Sequence, residues 1–223
     1  FRPPMIKAYA EGDYKKVNTM FQANNKVIYY SMLAVGLPII MEMRTILQLW
    51  LGMGDDMTVV FSQLMVVCVI IYSLHNPISI VIHATGNVRQ YHVPVESMIL
   101  FCFPTTLLLF KVGFPAAFLF YTMLGLFIMG HCARLYILAK YFPSFSVTAY
   151  AYSFLLPAVI VAVASTIVAY TIKGEIHGQP QRFLTVLSLT PLTVMLLEYT
   201  IGITHHERDQ VNGFLIKTLK KTR

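Results

Sequence analysis

Six stretches of twenty or more mostly apolar residues recur along the chain, at 27–52, 59–85, 92–111, 113–139, 148–172 and 181–203. A helix needs about 20 such residues to cross a hydrocarbon core of about 30 Å. None of the six alternates apolar and polar side chains with period two, so an outer-membrane barrel is not the expected fold. Lipid offers no partners to free backbone groups, which leaves helices. Composition agrees: 57% of the 223 residues are hydrophobic and 12% are charged, against roughly 25% charged in soluble domains. The expected fold is therefore an all-α integral membrane protein, a polytopic bundle of six transmembrane helices.

The loops between the runs carry the orientation. Arg2, Lys7, Lys15, Lys16, Lys26, Arg89, Arg134, Lys140, Arg208, Lys217, Lys220, Lys221 and Arg223 fall on the side of residues 1–26. Lys111, Lys173 and Arg182 fall on the other side, and Arg44 inside a run. That asymmetry places both ends of the chain in the cytoplasm, with the basic side against anionic headgroups. It also accounts for the net charge of +7 without a nucleic-acid partner. The chain begins at Phe1-Arg2-Pro3-Pro4 with no signal-peptide pattern, which suggests the C-terminal piece of a longer polypeptide. Residues 1–26 read as a cytoplasmic connecting segment, 27–139 as four spans, 140–203 as two more, and 204–223 as a basic tail.

Prolines 38, 77, 94, 104, 115, 157 and 191 lie in or beside the spans. Each removes a backbone donor and crowds the carbonyl four residues back. Bent helices of this kind are ordinary in membrane bundles, and alternating-access transporters also use them.

The polar residues inside the spans are the candidate site. On an unbroken helix Tyr72, His75, Asn76, Ser79 and His83 share one arc of about 100°. Such a stripe avoids lipid, whether its groups satisfy one another around Pro77, line a cavity that meets a polar headgroup, or relay protons. In the first span Arg44 shares a face with Gln48, while Glu42 points elsewhere. An intramembrane arginine suits a phosphate or carboxylate, or else an ion pair on a neighbouring helix. Glu42, His131 and Arg134 are possible charge partners for these groups. Glu96 and Glu198 read as interfacial, and His205-His206-Glu207 as a solvated helix end. Cys68, Cys102 and Cys132 show no disulfide or metal pattern. No metal or cofactor is expected, and no nucleophile elbow, phosphate loop or His-Glu-x-x-His motif marks an enzyme.

Three blocks carry a resemblance: Tyr9-Ala10-Glu11-Gly12-Asp13, then Ile46-Leu47-Gln48-Leu49-Trp50-Leu51-Gly52, then Ala84-Thr85-Gly86-Asn87-Val88-Arg89-Gln90-Tyr91. In this order and spacing the chain resembles the C-terminal part of Wzx-type polysaccharide flippases, members of the multidrug/oligosaccharidyl-lipid/polysaccharide (MOP) superfamily. The resemblance implies a two-lobe transporter whose N-terminal lobe is missing from this chain. It further implies alternating access around a polar cavity in the bacterial inner membrane. The implied substrate is an undecaprenyl-diphosphate-linked oligosaccharide, exported for O-antigen or capsule, with membrane lipids as the other partner. On that mapping Arg44, Gln48, Tyr72, His75, Asn76, Ser79 and His83 line the cavity, and Arg44 meets the diphosphate. The alternative is a MATE-like drug or cation antiporter, which calls for a deep acid, and Glu42 is the deepest acid here.

Overall fold

The computed structural model describes residues 2–52, 54–176 and 178–202, and these form helices and turns with no strand among them. In chain order the helices are α1 (Arg2–Ala10), α2 (Tyr14–Met41), α3 (Met43–Leu51), α4 (Asp56–Ser73), α5 (His75–Thr85) and α6 (Val88–Leu100). After these come α7 (Cys102–Lys111), α8 (Phe118–Tyr141), α9 (Val147–Tyr150), α10 (Leu156–Glu175) and α11 (Gln179–Leu197). Wide π-type turns occupy Ala151–Leu155 and Glu198–Gly202. Joined across their breaks, these give five helices long and apolar enough to cross a membrane, or six if the bent pair α2–α3 is one span. Their outward faces are apolar, with Val69, Leu108, Met129, Ile160 and Leu196 all exposed. A water-soluble bundle would hide such side chains, whereas lipid solvates them.

Proline chemistry sets most of the breaks. Pro77 has no N–H for the Ser73 carbonyl, and the helix breaks at Leu74, whose N–H turns back to Ile71 O at 3.2 Å. Pro104 does the same at Phe101, which bonds Met98 O at 3.2 Å. Ahead of Pro157 the backbone widens, and Leu156 N–H reaches Ala151 O, five residues back. Pro94 and Pro191 sit in unbroken helices, and Pro115 lies in the turn before α8 rather than within a span. The fourth span accordingly begins at Phe118, not at 113.

The expected first span, 27–52, is not one rod. Its helix starts at Tyr14 and ends at Met41, and α3 leaves it at 73°. At about 1.5 Å per residue α2 is about 42 Å long, so its polar start reaches well beyond the hydrocarbon. The connecting segment from Tyr14 onward and the first span up to Met41 are thus one helix. Asp13 caps it through Lys16 N–H at 3.0 Å, and Gly12 supplies the left-handed turn at φ 76°. α3 exposes Leu49, Trp50 and Leu51 while burying Met43 and Leu47, the pattern of a helix lying in an interface. At the start of α4 the Asp55 carboxyl accepts from Thr58 N–H at 3.0 Å, which holds it below the usual carboxylate range.

Span 1 (α2) is the hub. It packs on α4 on one side and on α10 and α11 on the other, while α8 packs against α4, α5, α6 and α7. The short helix α1 buries Met5 and Ala8 against α5 and α2, closing the basic end of the bundle. Gly36 lets α2 approach α4: a Cβ there would lie 2.7 Å from Ile70 Cδ1 and 3.3 Å from Val66 Cγ1. Gly36→Leu is expected to destabilise the protein by about 1–3 kcal/mol through overpacking, read as a lower thermal midpoint in detergent. Gly36→Ala should cost less, because the Ile70 terminal methyl can rotate away.

Candidate functional site: a buried arginine and histidine cluster

At 2% exposed, Arg134 is the most deeply buried charge of the basic half of spans 2–4. It sits on α8, where His131 precedes it by one turn and faces the same way. Its Nη1 donates to His75 Nε2 at 3.4 Å, and its Nη2 lies 3.5 Å from Glu96 Oε1 on α6. The guanidinium also rests 5.9 Å from the Tyr91 ring centroid. An arginine always donates, so His75 accepts at Nε2 and carries its own proton on Nδ1. The His75 ring stacks on His131 at 5.7 Å and meets Tyr72 edge-on at 4.9 Å. Three spans therefore meet at one cation.

The cation is incompletely answered. Glu96 is half exposed and is shared with His92 at 3.7 Å. Arg134 Nε and both ring nitrogens of His131 are buried without a hydrogen-bond partner among the described residues. A buried donor without a partner costs about 1–3 kcal/mol. Arg134 Nε and the one N–H of a neutral His131 are spare donors beside a desolvated charge, which an anionic group would complete.

The expected stripe on span 2 divides. His75 enters the cluster, and Tyr72 touches it while remaining exposed. Asn76 is exposed. Ser79 and His83 bond locally, with His83 Nδ1 2.6 Å from Ser79 O and 3.3 Å from Ser79 Oγ, and His83 meets His92 at 5.4 Å. The break at Leu74 does not divide them, since four of the five lie on α5 and Tyr72 still meets His75 across it; an arc of about 100° over more than two turns is wider than the patch that the cluster covers.

Arg44 and Gln48 do not join this cluster. Both lie on α3, at the opposite end of the bundle and exposed. The Arg44 guanidinium pairs with Asp56 and donates to Gly54 O at 3.2 Å. The 73° bend carries Arg44 off the span that sequence spacing put it on, so a cavity shared by Arg44 and the span-2 stripe is not what the structure contains.

Glu42, 1% exposed at that bend, has a different set of partners. Arg182 from α11 donates to it twice, Nε to Oε1 at 3.1 Å and Nη2 to Oε2 at 3.2 Å. Thr45 donates at 2.7 Å, and Lys173 from α10 lies at 3.9 Å while also donating to Met41 O. Sequence spacing put Lys173 just past the fifth span and Arg182 at the start of the sixth, with no partner named for either. Their reach to Glu42 is visible once α10 and α11 are packed on α2.

Among the described residues no group of three or more His, Cys, Asp or Glu could hold a metal ion. His205, His206, Glu207 and the basic tail lie outside the described residues. Comparisons with protein-family models, with curated proteins and with solved structures return no match, so any functional assignment rests on the residues themselves.

Proposed function

We propose that this chain is part of a membrane transporter that moves a lipid-linked, diphosphate-bearing oligosaccharide across the bilayer by alternating access. The observation that carries the reading is Arg134: a cation 2% exposed within an apolar span, with an unpartnered Nε and two unpartnered His131 nitrogens beside it. Charges at this depth are expensive and mark sites or pathways. A guanidinium with a spare Nε–H and one imidazole N–H beside it favours a phosphate oxygen over a cation. The role that sequence spacing gave to Arg44 passes in this reading to Arg134. Tyr72 and Asn76, polar and exposed on the same span, belong in this reading to the wall shared with a second lobe. In this reading the basic end faces the cytoplasm of the inner membrane, which the charge asymmetry supports.

A small-cation antiporter would need a carboxylate open to its cargo. Glu42 is already answered by Arg182, Thr45 and Lys173, and Glu96 by Arg134 and His92, so that alternative draws no support from either acid. The intact gene, expressed in cells that have lost surface-polysaccharide export, is expected to restore the polymer. Restoration absent while the protein sits in the membrane at normal abundance would overturn the proposal.

A further inference from the structure

Arg134 is sealed as the structure stands, so an anion reaches it only if an element around it moves. Side chains from two helices close over the guanidinium: Tyr91 and Glu96 of α6, and His75 of α5. Those helices are held very differently. α5 buries Ile78, Val81 and Ile82 completely and is clasped by α1, α2 and α8. α6 buries Tyr91 and Val95 alone of its thirteen residues and packs mainly on α8. If one of the two gives way, it is α6.

The backbone of α6 is weak at both ends. At its start Gly86 makes a left-handed turn at φ 78°, and the Asn87 side chain turns back to Thr85 O at 3.3 Å instead of capping the helix. At its end Phe101 N–H has turned back to Met98 O, because Pro104 offers no N–H to the Leu100 carbonyl. A few such terminal residues can absorb the dihedral change of a swinging helix. The charge that holds α6 to α8 also parts cheaply. Glu96 is half exposed, and His92 on the same helix stays with it at 3.7 Å, so leaving Arg134 strands no buried anion. The geometry points to α6 as a gate, hinged at Gly86-Asn87 and at Phe101, that swings off α8 and uncovers Arg134. As a gate it rests on the reading of Arg134 as the anion site, whereas the motion belongs to the chain itself and needs no substrate.

The test uses the full-length protein, its native cysteines replaced, in phospholipid nanodiscs with pairs of spin labels read by pulsed electron resonance. Val93→Cys on α6 with Met129→Cys on α8 reads the gate, and Leu108→Cys on α7 with Met129→Cys reads the same span beyond the hinge; all three sites are exposed. Two distances are expected for the first pair and one for the second. Glu96→Ala should raise the longer Val93–Met129 population roughly two- to fivefold over the shorter, the worth of a half-exposed ion pair. Pro104→Ala, which returns a donor to the Leu100 carbonyl, should leave the shorter distance dominant. A single Val93–Met129 distance in both wild type and Glu96→Ala, a longer population that Pro104→Ala leaves unchanged, or Leu108 moving together with Val93 would each overturn the gate. Two Val93–Met129 distances together with full transport by Arg134→Met would instead remove the anion reading and leave the motion of α6 standing.

Discussion

Replacing Arg134 with methionine is expected to cut the rate at which lipid-linked oligosaccharide reaches the far leaflet by roughly thirtyfold or more, with the protein still inserted in the membrane. The figure is the lower end of the cost of deleting one member of a desolvated, hydrogen-bonded charge pair, about 2 kcal/mol. Methionine matches the length and apolar surroundings of the arginine stem, so spans 2, 3 and 4 keep their packing against Tyr91 and His75. Arg134→Lys keeps the charge but cannot reach His75, Glu96 and an incoming anion together, because an ammonium is a point donor rather than a fork. It should fall between wild type and methionine. Glu96→Gln should have a smaller effect, since Glu96 is half exposed and screened. Full transport by Arg134→Met would remove the basis of the proposed function.

The second large effect is on stability. Glu42→Ala leaves Arg182 and Lys173 facing a pocket with no counter-charge. Deleting one member of a buried pair costs about 3–5 kcal/mol. Because the side chains of Arg182 and Lys173 are 22% and 36% exposed, the lower end applies, a fall on the order of 10 °C in thermal midpoint. Glu42→Gln should lose less, since its amide oxygen still accepts from Arg182. Adding Arg182→Ala to Glu42→Ala should recover part of the loss, because the stranded guanidinium is gone. Equal midpoints for wild type and Glu42→Ala in detergent would show that the α3 bend is held by something other than this pair.

Apolar runs and prolines made much of this architecture readable. Run length and loop charge give the spans, and Pro77, Pro104 and Pro157 each mark a break or a widened turn in the backbone. The capping by Asp13 and the turn at Gly86, with φ 78°, follow from local chemistry alone. Partnership across helices was not readable. Glu42 and Arg182 are 140 positions apart, and nothing in either neighbourhood names the other. Arg134 and His75 were each recognisable as polar residues out of place, but their meeting depends on α8 packing against both α4 and α5. Arg44 misled for a related reason: apolar residues resume after Glu42 and Arg44 and continue to Leu51, so run length alone does not separate a bend from two polar residues within one span. The one available signal was Glu42 itself, an acid that an unbroken span would have had to bury without help.

The core of this description is a lipid-embedded bundle that turns its few ions and imidazoles inward. A lipid-dissolved carbene probe, photolysed in membranes holding the full-length protein and mapped residue by residue, reads this directly. Val69, Leu108, Met129, Ile160 and Leu196 should be labelled, with Glu42, His75 and Arg134 protected. Labelling of Glu42, His75 and Arg134 at the level of their apolar neighbours, or no labelling of the five apolar positions, would contradict it.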